Sequence, residues 1–189
     1  MGTMDATPLA APPAAPDEAA LLPILIAPHP LLKARCRPVG AGDADKVREL
    51  VARMFATMYK APGIGLAAPQ VGSLLRLAVV DVMPDDRKAP IVLINPEVVA
   101  ESDEMAPHEE GCLSLPGQYA EVIRPAVVKV RYTDETGARR EMQADGLLAA
   151  CLQHEIEHLD GGLFVDHLSV LKRNIIMRRL AKDQRQKAR

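Results

Sequence analysis

The sequence predicts an α+β fold. Short β-branched segments are grouped between residues 76 and 144 instead of alternating with helical ones, which disfavours a parallel doubly wound sheet. Apolar residues recur at helical spacing on both sides of that block. DETG at 134–137 looks like a tight turn joining two neighbouring strands.

The elements follow in order. Residues 1–20 are Ala, Pro and a few acids, too poor in large apolar side chains to offset the entropy of ordering, so a flexible leader is expected and the fold starts near Leu21. Behind Asp43, a candidate cap, Val47, Leu50, Val51, Met54, Phe55 and Met58 mark an amphipathic helix that Pro62-Gly63 ends. RLAVVDV (76–82), IVLI (91–94), EVVAE (97–101), YAEVI (119–123) and VVKVRYT (127–133) read as strands bounded by Pro, Asn, Asp or Gly, and ARREMQA returns after the turn. Asp145 can cap a second helix with Leu147, Leu148, Cys151, Leu152, Ile156 and Leu159 on its apolar face, and Gly161-Gly162 stops it. After Ser169, another candidate cap, Leu171, Ile175 and Leu180 make a narrow stripe on a basic third helix. The expected organisation is a leader over 1–20, a domain over 21–166, and a basic helix over 167–189 packed on or extending from it.

A chain of 189 residues is about one domain, and 48% hydrophobic with 25% charged residues is an ordinary globular composition. Aromatic residues are 3% and Trp is absent, so the core must be aliphatic. From Leu168 onward eight Lys or Arg face one acid, Asp183, giving +7 there and -9 elsewhere within a net charge of -2. Such an end suits an anionic partner such as nucleic acid, and equally a solvated helix face. Cys36, Cys112 and Cys151 are odd in number and widely spaced, with no secretory signal before them, which points to a reducing compartment and no disulfide framework. LLPILIA is broken by Pro23 and stopped by Pro28, and no apolar run approaches membrane-spanning length.

CLQHEIEHLDGG (151–162) carries the chemistry. Helix positions four apart share a face, about 5–6 Å apart at Cβ, so His154 and His158 can aim at one cation. Glu155 lies a third of a turn away, where it can reach a water held at that cation without being a ligand. The third ligand stays open on these residues alone. The HExxHxxGxxH peptidase pattern is met through Gly161 but has Phe164 at its last position, and no Glu follows Glu157 to serve the thermolysin-like alternative. Asp166 and His167 come after a Gly-Gly break. Cys112, in EEGCLSLPG (109–117), sits in a Gly- and Pro-bounded loop before a strand. Its thiolate would complete a Cys plus two-His site with a vacant fourth position, although a free Cys is more often a small buried hydrophobe. APGIGLAAPQVG (61–72) contains G-x-G-x-x-A, but it follows a helix and runs into Pro69, unlike a dinucleotide fingerprint. A Gly-rich loop that lets backbone approach a ligand, with the Gln70 amide as a polar handle, fits better.

GIGLAAPQ, EGCLS and QHEIEH, in this order and spacing, resemble the three signature motifs of the peptide deformylase family, over about Leu21 to the C-terminus. The resemblance implies an enzyme that removes the formyl group from the N-formylmethionine of new bacterial polypeptides, releasing formate. It implies antiparallel strands packed around a central HExxH helix, with a C-terminal helix. Cys112, His154 and His158 would hold one divalent ion, Fe(II) in the cell, with Zn, Ni or Co as working substitutes. Glu155 would be general acid and base, Gln70 and the backbone N–H of Leu113 would meet the oxyanion, and Gly65 would hydrogen-bond the substrate backbone. Ile64, His108, Leu147, Ala150 and Cys151 would form the methionine pocket.

The chain departs from the family pattern in four places. His108 stands where a bulky apolar residue is usual, and Ala150 is smaller than the Ile of some members, which implies a wider pocket with a more polar lip. Tyr119 replaces an Arg that many members carry near the substrate backbone, and Glu157 replaces the usual Asp. The resemblance further implies a cytoplasmic protein whose basic C-terminal helix associates with the ribosome near the exit tunnel, with no membrane partner. Two readings compete with deformylation. A metallopeptidase would cleave internal peptide bonds and be insensitive to loss of Cys112, and a binding module would dock by its basic tail whatever the site does.

Overall fold

The structure, a computed structural model, describes residues 21–187, so the expected leader over 1–20 lies outside the described residues. Three α-helices, α1 (Ala44–Lys60), α2 (Gly146–Leu159) and α3 (Val170–Lys187), accompany seven strands. These are β1 (Gly65–Ala67), β2 (Leu77–Val80), β3 (Ile91–Glu101), β4 (Met105–Cys112), β5 (Leu115–Pro125), β6 (Val127–Thr133) and β7 (Arg139–Asp145). The expected α+β class is what is found: five antiparallel strands in the order β1-β2-β3-β6-β7, and a separate antiparallel hairpin of β4 and β5. Among the described residues no helix is long and apolar enough to cross a membrane.

The two-residue side-chain period of β2 explains the layering. Leu77 and Val79 pack with Val47, Met54 and Met58 of α1, while Ala78 and Val80 face the other way, towards Cys151, Leu152, Ile156 and Leu159 of α2. All four β2 residues are therefore buried, sandwiched between two helices. The opposite side of α2 meets the β4–β5 hairpin. That hairpin in turn carries α3 through Leu115 and Val122, which pack with Phe164, Val165, Ile176 and Leu180. The HExxH helix thus runs between the sheet and the hairpin, and this position brings its histidines to the hairpin tip.

Several local expectations are corrected. β3 is continuous: Asn95 adopts a left-handed conformation (φ 52°) and makes a bulge instead of a break. Its side-chain amide pairs with the backbone of Val39 in both directions, at 2.8 and 3.0 Å. Cys112, expected within a loop over 109–117, is instead the last residue of β4. The inward positions there, His108, Glu110 and Cys112, are polar or small, so no apolar alternation marks the strand. Pro107 is tolerated because a two-stranded ribbon is all edge.

Asp43 and Asp145 precede α1 and α2 without bonding the helix N–H groups through their side chains. The Asp43 carboxylate is taken by Arg37, at 2.7 and 2.8 Å. Ser169 does cap α3, its Oγ accepting from Lys172 N. Leu147 is not on the buried face of α2 but 54% exposed, because the side facing the sheet is set by Ala149, Leu152, Ile156 and Leu159. In α3 the buried pair is Ile176 and Leu180, while Leu171 and Ile175 are exposed. Gly161-Gly162 ends α2 as expected. Gly161 has φ 84°, and a Cβ there would come within 2.6 Å of the Lys33 carbonyl oxygen, so only glycine lets the chain pass.

Candidate metal centre

α2 places His154 and His158 one turn apart with ring centroids 4.9 Å from each other. The end of β4 lowers Cys112 onto them, its Sγ 3.2 Å from His158 Nε2. One ligand atom from each of Cys112, His154 and His158 lies within 4.8 Å of the other two. The other open candidates are engaged elsewhere: Asp166 bonds Lys33 Nζ at 2.7 Å and His167 bonds Glu157 at 2.6 Å. Phe164, at the place of the missing peptidase ligand, is fully buried and stacks on the His154 ring at 6.2 Å.

Behind His154 stands a buried charge network. Its Nδ1 is 2.9 Å from Glu110 Oε2, and since a carboxylate can only accept, the ring proton sits on Nδ1 and the Nε2 lone pair is left for the cation. Arg124, 4% exposed, grips both Glu110 oxygens at 2.5 and 2.9 Å and donates to Glu157 at 3.0 Å. Burial would raise the Glu110 carboxyl, but Arg124 and His154 outweigh it and hold it at about 2. For His154, burial opposes the charged form, yet its bonds to Cys112 and Glu110 prevail and raise its pKa well above the ordinary value. Burial, then the charge of His154, keeps His158 well below it.

Glu155 is 4% exposed and its Oε2 has no partner among the described residues. Burial pushes its carboxyl up to about 7. Gly65 on β1 makes room for it: a Cβ there would lie 2.8 Å from Glu155 Cδ and 2.9 Å from Cys151 Sγ. The Gln70 amide is oriented by its own loop, since Oε1 accepts from Ala67 N at 2.8 Å. The NH2 group therefore points the other way, 3.5 Å from Cys112 Sγ and 3.2 Å from Ser114 Oγ. Leu113 is the first of two residues in the β4–β5 turn.

A cavity of about 540 Å³ opens beside these groups. Ile64, Gly65, Gln70, His108, Cys112, Leu113, Leu147, Ala150, Cys151, His154 and Glu155, eleven of the twelve residues expected at the site, line it. His158, the twelfth, lies at the metal group behind it. His108 is half-buried on β4, and the exposed Tyr119 ring lies over Gly111 at the rim.

The donor set fits a single divalent ion: one sulfur and two imidazoles converge, the tautomer of His154 is fixed, and Glu155 Oε2, without a partner among the described residues, stands at hand. Glu110, Arg124 and Ser114 were missed by sequence reasoning. A strand would have revealed Glu110, because residues two apart share a face and Glu110 is two before Cys112. Arg124 carried no local signal, since its partners come from β4 and α2.

The sequence profile of a family described as Polypeptide deformylase matches residues 21–174. A peptide deformylase from Brucella suis biovar 1 (strain 1330) is 50% identical over 167 residues, covering 88% of this chain and 95% of the relative. One from Rhizobium meliloti (strain 1021) is 52% identical over 161 residues, covering 85% and 92%. Among solved structures, a peptide deformylase from Legionella pneumophila matches with TM-score 0.84 and 46% identity, over 89% of this chain and 98% of that one. One from Ehrlichia chaffeensis, in complex with actinonin, matches with TM-score 0.83 and 38% identity, over 87% and 98%.

Proposed function

The chain belongs to the polypeptide deformylase family, and from that premise we infer that it is a metal-dependent hydrolase removing the formyl group from formyl-methionine of nascent polypeptides, with release of formate. The observation that carries this reading is the convergence of Cys112, His154 and His158 beside Glu155, which lines the cavity and whose Oε2 has no partner among the described residues.

Cys112, His154 and His158 would hold the ion, which when bound supplies a Lewis acid that acidifies water and polarises the formyl oxygen. The chain's own residues do the rest. Glu155, at about 7, can take a proton from the attacking water and return it to the leaving amine near neutral pH. Charge developing on the formyl oxygen is met by the Gln70 amide, already oriented by Ala67, and by the Leu113 N–H. Gly65 presents backbone to the peptide, and Ile64, His108, Leu147, Ala150 and Cys151 receive the methionine side chain. A formyl carbon bears only hydrogen, so a tight site admits it where a bulkier acyl group is refused.

Fe(II) is our assignment for the cell, with Zn, Ni or Co as substitutes, because one thiolate with two imidazoles suits all four. We assign the cytoplasm, in line with three free cysteines. We also assign the exposed cations of α3, among them Arg178, Arg179 and Lys182, a docking role at the ribosome near the exit tunnel. Because α3 buries Ile176 and Leu180, the docking test is R178Q/R179Q/K182Q and not deletion of the helix. Weaker co-sedimentation with ribosomes in low salt is expected, and equal co-sedimentation would refute docking. For the reaction, Ni(II)-loaded protein should release formate from formyl-Met-Ala-Ser, and C112A should lose both the ion and the activity. Metal-loaded protein that releases no formate would end the reading.

A further inference from the structure

The hydrogen bonds behind the metal centre continue to the surface, and their outer end has no part in the reaction as described. His167 closes the 3-10 turn Phe164–His167 and is exposed. Its Nε2 lies 2.6 Å from Glu157 Oε1. Glu157 is paired with Arg124, and a carboxylate oxygen can only accept, so Nε2 carries the hydrogen. A ring nitrogen bearing hydrogen has no lone pair to offer Arg124 Nη1, 3.4 Å away, so Glu157 is what joins the two. From there the bonds run inward: Arg124 donates to Glu157 Oε2 at 3.0 Å and to both oxygens of Glu110, which accepts from His154 Nδ1 at 2.9 Å. With one oxygen held by Arg124 and the other by His167, the Glu157 carboxylate is fixed in orientation. The backbone of Gly162 packs against its stem, where a Cβ would lie 2.5 Å from Glu157 Cγ. The same turn reaches His154 a second way, through the Phe164 ring stacked on its imidazole. A polar pair this close to solvent adds little to folding on its own, and the His167–Glu157 contact matters for where it leads.

We propose that His167 is a positioning residue for the metal centre: its Nε2–H holds Glu157, Glu157 holds Arg124 on Glu110, and Glu110 sets the direction in which the His154 ring faces the ion. The proposal rests on reading Cys112, His154 and His158 as that centre. Loss of the His167 donor frees the Glu157 carboxylate to rotate towards water, so Arg124 is held less firmly on Glu110. The ion is then bound more weakly, although no ligand has been touched.

The test is Zn(II) affinity by chelator competition for wild type, H167F and H167Q, with urea unfolding of the metal-free proteins alongside. Direct outer partners of metal ligands typically govern about 10- to 100-fold in affinity, and His167 stands further out, so H167F should bind Zn(II) about threefold to tenfold more weakly. H167Q, whose amide N–H can replace Nε2–H, should return to within about twofold of wild type. In R124M, where the chain of bonds is already cut, adding H167F should weaken binding by less than about twofold. Wild-type affinity in H167F would overturn the proposal even if that variant unfolds more easily, because a purely structural role lowers stability and leaves affinity unmoved. An undiminished H167F effect in R124M would also overturn it, since the effect would then take another route. Wild-type protein that binds no Zn(II) would overturn the metal reading itself, and the proposal with it.

Discussion

Replacing Arg124 by Met keeps an unbranched apolar stem and removes the guanidinium that Glu110 and Glu157 share. Arg124 is 4% exposed and Glu110 7%, so the change strands a buried carboxylate, which typically costs about 3–5 kcal/mol. The titration of Glu110 gives an independent scale. Its carboxyl is held at about 2 against an ordinary 4.5, a gap worth about 3 kcal/mol at roughly 1.4 kcal/mol per pH unit. The sign follows from the direction: a depressed carboxylate stabilises the fold above pH 4.5 and loses that contribution as pH falls towards about 2. Metal-free R124M should therefore be about 3–5 kcal/mol less stable than wild type in urea at pH 7, a drop of about 10 °C in Tm for a chain of this size. The deficit should shrink as pH falls from about 4.5 towards 2. With Glu110 loosened, His154 loses its anchor, and chelator competition should show metal affinity about 10- to 100-fold weaker. A variant within 1 kcal/mol of wild type at pH 7 whose metal affinity is unchanged would refute the reasoning.

Three further outcomes follow from particular contacts. G65A puts a methyl group against the Glu155 carboxyl and Cys151 Sγ, so it should cost about 1–3 kcal/mol and lower kcat at least tenfold with the ion retained; unchanged kinetics would show that this approach is not needed. Q70A removes an oriented donor and should lower kcat/KM about 100- to 1000-fold while metal analysis still finds one ion per chain. L180A empties a fully buried position in α3 and should cost about 2–5 kcal/mol by urea unfolding, whereas a loss below 1 kcal/mol would mean that α3 does not anchor there.

Legibility followed the range of the interactions. α1, β2, β6, the turn at 134–137 and α2 announce themselves because their apolar spacing is local and their ends carry Pro, Gly or Asp. β4 did not, because its inward side chains serve the site and not the core, and a functional strand of this kind lacks the apolar alternation that sequence reading depends on. The same cause hid Glu110. In α3 the 171/175 and 176/180 pairs are equally helical in spacing, and which pair turns inward is decided by Phe164, Val165 and Val122.

The amino-acid sequence by itself determined the α+β class, the helix that aims two imidazoles in one direction, and a set of three motifs distinctive enough to name a family. These depend on residues within a turn or two of each other, or on matched spacing. Which third side chain meets the histidines was a tertiary decision. Cys112 stands 46 residues before His158, and the two become neighbours only because α2 is clamped between the sheet and the hairpin. The Arg124 network and the outward turn of Leu147 are of the same kind, for each depends on which surfaces of distant elements are pressed together.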